Sequence, residues 1–186
     1  VVLTKLFGCN GIEGISVNFT IGAGTDWVAY SVKDLMQLIV ERSLDEFTKD
    51  PGGFHRMFLD HHQLRWLGDG MGRMVIGSVM NSLWDLWAKE EDKPLWKLLV
   101  DLPPKTIIDC IDWRYLKDAL DPAEALEILE QSLASKTERE QRMSQKGPKA
   151  YSTAGWLGLS DDEIVKTIEE VKKQGLNCFK MKVGLN

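Results

Sequence analysis

The segment Phe179-Lys180-Met181-Lys182-Val183-Gly184 constrains this chain more than any other. Side chains alternate along an extended strand, so Lys180 and Lys182 share one face while Phe179, Met181 and Val183 share the other. An amphipathic helix and a Gly turn precede the segment, so it reads as the closing strand of a β-α-β unit, whose parallel strands are ordinarily covered on both sides. Two unpaired ammonium groups on a covered face would cost on the order of several kcal/mol. Two readings follow. Either this is an edge strand with solvated lysines, or it carries a lysine base whose pKa is depressed by the like charge beside it.

The rest of the chain narrows the setting. With 186 residues, 44% of them hydrophobic and 27% charged, one sizeable core is within reach. A net charge of -5 offers no basic stripe for a phosphate backbone, which argues against nucleic acid as the partner. No apolar run reaches membrane length. Cys9, Cys110 and Cys178 are scattered and odd in number, which suits a reduced, intracellular compartment and buried thiols rather than a disulfide frame or a zinc site. Val1 is not an initiator Met, and the sequence stops just after a strand whose parallel geometry calls for more strands, so the chain reads as a fragment.

Val1–Phe7 and Ile12–Thr20 are expected to form an antiparallel hairpin about Gly8-Cys9-Asn10-Gly11. Val28, Val32, Leu35 and Ile39 make a helical stripe, with Thr25 as the cap and the helix running to Glu46. Asp50-Pro51-Gly52-Gly53 breaks the chain before a short aromatic helix. Ile76, Met80, Leu83 and Trp87 predict a helix over Met74–Glu91 that Pro94 ends, with one more helical turn over Leu95–Leu99. Pro103-Pro104 sets the expected domain boundary. Thr106–Trp113 reads as a strand, Asp121-Pro122-Ala123-Glu124 as a helix start, and Thr137 with Glu140 as a capping box. Tyr151–Gly158 reads as a Gly-punctuated loop. Ser160 with Glu163 caps the helix that leads to the lysine strand, and Gly175 closes it.

Other motifs carry less. His55, His61 and His62 lack the ligand spacing of a metal site and read as surface or packing residues. Gly68-Asp69-Gly70-Met71-Gly72 has no strand before it, so it is a helix connection rather than a dinucleotide loop. Asn18-Phe19-Thr20 matches a glycosylation sequon, but nothing secretory accompanies it.

Taken together, Leu83-Trp84-Asp85-Leu86-Trp87-Ala88-Lys89, Lys93-Pro94-Leu95-Trp96-Lys97-Leu98-Leu99 and Phe179–Gly184 resemble the mandelate racemase branch of the enolase superfamily. Arg114-Tyr115, Ala125–Leu129, Glu138-Arg139-Glu140, Ala150–Thr153 and Trp156-Leu157-Gly158 narrow the resemblance to its L-fuconate dehydratases. The resemblance implies an α+β capping domain over residues 1–102, its start missing. The first strands of a truncated (β/α) TIM-type barrel would follow over 103–186, with a long insertion at about 114–150. It also implies a Mg²⁺-dependent lyase that removes the proton next to a sugar acid's carboxylate and then expels water, giving a 2-keto-3-deoxy sugar acid. Lys182 would be the catalytic base, and Lys180 would bind substrate and depress its partner's pKa. The family's magnesium ligands and acid-base His-Asp pair fall beyond Asn186, so no metal ligand is assigned and the chain alone is expected to be inactive. Mitochondrial or cytoplasmic placement fits, with no nucleic-acid or membrane partner and a homo-oligomer left open. The competing readings are a non-catalytic binding or regulatory product and a relative of the branch with another substrate.

Overall fold

Thr4, Ser16 and Ser78 explain where the amino-terminal hairpin lies. The computed structural model describes residues 1–67 and 69–184, and in it Val2–Phe7 (β1) pairs antiparallel with Glu13–Asn18 (β2), Thr4 opposite Ser16. Both hydroxyls point inward onto Ser78 of a long helix, Met71–Glu90 (α4). Ser78 Oγ lies 2.8 Å from Thr4 Oγ1 and 3.0 Å from Ser16 Oγ, and Ser16 Oγ donates to the Ser78 carbonyl at 2.7 Å. Two residues before Ser16 on the same strand is Gly14, where a Cβ would overlap the Ser82 carbonyl oxygen and the Leu86 side chain. Helix α4 also closes the outer edge of β2. The Ile15 N–H donates to Asp85 Oδ2 at 2.7 Å, and Lys89 Nζ donates to the Glu13 carbonyl at 2.7 Å. Asn18 is buried and donates to the Met74 carbonyl at 2.7 Å, so the sequon's amide is committed to the fold.

The predicted stripe Val28, Val32, Leu35 and Ile39 is buried in full, but the helix that carries it stops early. Thr25–Met36 (α1) gives way to turns, Glu41 takes a positive φ of 69°, and a new helix, Leu44–Lys49 (α2), begins at Ser43. Local capping wins over the expected run to Glu46. Ser43 Oγ accepts from the Asp45 N–H at 3.2 Å, and Glu46 Oε1 accepts from the Ser43 N–H at 3.3 Å. Nor does Thr25 cap α1; its hydroxyl donates to the Gly22 carbonyl instead, and Gly24 holds the cap position. Pro51–Leu59 (α3) starts on Asp50, whose carboxylate accepts from the Gly53 N–H at 2.7 Å. Phe47 of α2 is wholly buried and meets Phe54, Trp84 and Trp87 edge-on at 5.6, 5.1 and 5.9 Å between centroids. Each such pair contributes about 0.5–1.5 kcal/mol beyond its buried area, which makes this cluster the centre of the core.

Leu95–Asp101 (α5) follows as predicted, but Thr106–Trp113 is not a strand. Pro104–Asp109 (α6) is helical, with Pro104 in the first turn where its missing N–H costs nothing. The Cys110 N–H donates to the Thr106 carbonyl at 3.2 Å, and Lys105 pairs with Asp109 one turn on at 2.8 Å. Packing against α3 settles the conformation. Arg56 Nη1 donates to the Asp109 carbonyl at 2.7 Å, and Gly52 lies so close to the Asp109 backbone that a Cβ would collide with it. A helical connection can make this approach; the β-branched Ile107 and Ile108 follow their neighbours. Asp121 caps the next helix, Pro122–Ser132 (α7), accepting from the Ala123 and Glu124 N–H groups at 2.7 and 3.0 Å.

The chain divides into two compact units, Val1–Gln131 and Ser132–Asn186, so the first continues past Pro103-Pro104. The second begins with Lys136–Lys146 (α8), whose start has no side-chain cap; Thr137 lies inside the first turn, so the predicted box with Glu140 does not form. Ser152–Gly155 (β3), Asp161–Lys173 (α9) and Phe179–Met181 (β4) then make a β-α-β unit with β3 and β4 parallel. The stretch read as a loop about Gly155 is thus a strand, and Ala154 at its centre is fully buried. The capping box of α9 forms as expected, the Ser160 N–H donating to Glu163 Oε2 at 2.8 Å. Gly175 ends the helix at a φ of 87°. Among the described residues the sheets are two-stranded and no barrel closes.

Candidate functional site

Strand β4 places the lysine pair. Phe179 lies beside Ser152, Lys180 beside Thr153 and Met181 beside Gly155, with an irregularity in register between Thr153 and Gly155. The Lys182 N–H, just past the strand, donates to the Gly155 carbonyl at 2.7 Å and extends the pairing by one step. At Gly155 the Met181 Sδ and Cε occupy the space that a Cβ would take. Lys180 and Lys182 are both exposed in this chain. Each ammonium faces an aromatic ring from an end of β3. Lys180 Nζ lies 6.0 Å from the centroid of Tyr151 and Lys182 Nζ 5.4 Å from that of Trp156. Both rings belong to the stretch Tyr151–Gly158 that reads as a loop in the sequence; the pairing of Ser152–Gly155 with β4 is what brings them to the lysines.

The first unit holds a second polar cluster. Asp112 takes the Arg114 guanidinium at 2.9 Å to Nε and 2.7 Å to Nη2, and Arg73 reaches Asp112 and Asp69 at 3.2 Å each. The Tyr115 hydroxyl donates to Asp69 Oδ2 at 3.1 Å. The Arg114 fork holds the Asp112 carboxyl far below the usual carboxylate range, and Arg73 with Tyr115 lowers Asp69. Burial, then the nearby Arg73 charge, lowers the pKa of His55. Two arginines answer two carboxylates here, so the cluster is a charge-compensated clasp for the segment after α6. It lines a cleft of about 200 Å³ with Phe58, Leu59, Leu64 and Ile76. His61 and His62 stack on each other at 5.5 Å. Among the described residues no group of three or more His, Cys, Asp or Glu is placed to hold a metal ion, so these side chains do not make the magnesium site the resemblance implies. Gly68 of the glycine-rich connection lies outside the described residues; Asp69 and Gly70 lead into α4 as read.

No family model matches the chain. Mitochondrial enolase superfamily member 1 from Bos taurus is 43% identical over 94% of this chain and 40% of its own length. The Homo sapiens protein is 42% identical over the same shares, and L-galactonate dehydratase from Hypocrea jecorina is 36% identical over 92% of this chain and 39% of its own. The crystal structure of human mitochondrial enolase superfamily member 1 superposes with a TM-score of 0.88 at 40% identity, over 99% of this chain and 42% of that one. The chain thus spans about two fifths of the length of the curated relatives it matches, and its fold is that of their amino-terminal part.

Proposed function

We propose that this chain, similar to mitochondrial enolase superfamily member 1 in sequence and fold, is an enolase superfamily member and forms the capping region and barrel start of a sugar-acid dehydratase. The observation that carries the reading is the lysine pair on β4, one strand from β3 and joined to it by α9. A parallel strand, helix, parallel strand unit is the repeat of a (β/α) barrel, in which functional groups gather at the carboxyl ends of strands, and Lys182 lies just past the carboxyl end of β4. The cap would take residues 1–102 and the barrel 103–186, with β3 and β4 the barrel strands rather than Thr106–Trp113.

In this reading Lys182 Nζ, unprotonated, takes the hydrogen from the carbon next to the substrate carboxylate. Lys180, two residues back on the same face, holds that carboxylate by charge. The electron pair left behind expels the 3-hydroxyl, which picks up a proton as its C–O bond breaks and departs as water, so that the hydrogen taken by Lys182 and the hydroxyl are lost as one water overall, and the resulting enol tautomerises to a 2-keto-3-deoxy acid. Magnesium would stabilise the enediolate in the complete enzyme. None of its ligands is assigned in this chain. L-Fuconate and L-galactonate are the substrates to try, the second because a relative bears the name L-galactonate dehydratase. An intracellular placement, mitochondrial as in the relatives' names, accompanies the proposal.

The test is a chimera in which this chain replaces the matching 42% of the human protein, assayed with both acids and for exchange of the substrate α-hydrogen in D₂O. The chimera should turn over one of them, Lys182→Met should lose both turnover and exchange, and the 186-residue chain alone should show neither. Exchange retained in Lys182→Met would refute the assignment of the base, and turnover by the isolated chain would refute the need for the remaining part.

A further inference from the structure

We propose that Trp156 and Tyr151 are positioning residues for the lysine pair, with Trp156 setting the place of the Lys182 ammonium; the proposal rests on the reading of Lys182 as the base. Strand β3 is four residues long, Ser152–Gly155, so its two flanking residues are Tyr151 and Trp156. The pairing of Thr153 with Lys180, continued by the Lys182 N–H on the Gly155 carbonyl, brings each lysine to one of those flanks. Both ammonium groups lie within cation–π reach of a ring face, and the closer contact is to indole, the stronger partner. Neither ring is filling a core. Tyr151 is 59% and Trp156 57% exposed, so hydrophobic burial does not account for their places. No carboxylate forms an ion pair with Lys180 or Lys182 among the described residues. A four-carbon lysine stem otherwise samples many rotamers, and a reacting amine must sit within a narrow cone of approach; a ring face at the strand end restricts that sampling.

The experiment has two arms. In the 186-residue chain, ¹³C-resolved NMR should find the Lys182 ε-methylene hydrogens displaced upfield of the exposed lysines by the indole ring current. Trp156→Leu should abolish that displacement and Trp156→Phe should keep part of it, with circular dichroism unchanged in both. In the chimera, Trp156→Leu should lower kcat roughly ten- to a hundredfold with KM within about twofold of the parent, as expected for a misplaced reacting group. Trp156→Phe should recover much of the loss. An undisplaced Lys182 methylene, a displacement that survives Trp156→Leu, or a kcat that Trp156→Leu leaves intact would each overturn the proposal. Retained α-hydrogen exchange in Lys182→Met, with the ring-current displacement present in the parent chain, would instead locate the failure in the assignment of the base, and the positioning role would fall with it.

Discussion

The three hydroxyls that join the hairpin to α4 make a quantitative prediction. Thr4, Ser16 and Ser78 are 6, 5 and 0% exposed, so water does not replace a lost partner there. Ser78→Ala leaves Ser16 Oγ its bond to the Ser78 carbonyl but deprives Thr4 Oγ1 of its partner among the described residues. A buried hydroxyl stranded in this way costs about 1–3 kcal/mol. Thr4→Val removes the other half at constant shape; Ser78 Oγ keeps Ser16 at 3.0 Å, so the cost is about 1 kcal/mol, that of one net hydrogen bond. In the double variant nothing is stranded, and its cost should fall short of the sum by about 1 kcal/mol or more. Urea unfolding followed by the fluorescence of Trp84 and Trp87 measures this. With a slope of about 1–3 kcal/mol per molar, the missing increment displaces the midpoint by a readable fraction of a molar. Costs that add to within about 0.3–0.5 kcal/mol would show that the hydroxyls act independently and refute the argument.

Two further outcomes follow from the ionisable groups. Burial, with Asp109 and Asp50 nearby, pushes the Cys110 thiol up to about 11, whereas Cys9 and Cys178 are exposed. Iodoacetamide at pH 8 followed by mass mapping should therefore label Cys9 and Cys178 first, with Cys110 reacting at a rate that tracks unfolding; equal rates at all three would contradict this. His55 and Asp112 both have folded pKa values below their ordinary ones, so the unfolded chain binds more protons and stability falls with acidification. The histidine part is present above its ordinary 6.5 and is lost as pH falls from there towards the folded value. The Asp112 part goes only below about 3.8. Replacing His55 by Gln should flatten the upper limb of the acid transition and leave the lower one, and unchanged midpoints at pH 5 and pH 7 in the parent would count against it.

Periodicity carried the long elements because each has a buried face to declare. The buried stripe Val28-Val32-Leu35-Ile39, though not the length of its helix, the α4 stripe and the antiparallel hairpin of β1 and β2 are legible from one chain, and so is the capping box at Ser160, a purely local device. What escaped is decided elsewhere. Thr106-Ile107-Ile108 has strand composition, yet Pro104 and the close approach to Gly52 make it a turn and a half of helix. Ser152–Gly155 looks like a loop because Gly155 punctuates it, yet parallel pairing with Phe179–Met181 makes it a strand. The lysine pair was legible from spacing, whereas its aromatic neighbours depended on a pairing between segments nearly thirty residues apart. No local pattern announces such a pairing.

Contacts between side chains yield, because a rotamer can change; a contact between backbones has no such give. At Gly14 the hairpin rests on the main chain of α4 near Ser82, and a few ångströms away the bonded hydroxyls stop it from sliding along the helix axis. Separation and register are thus set by different atoms, and neither can relax without breaking the other. The hairpin and α4 thus form one bracket, whereas between Met36 and Ser43 the helical run is interrupted.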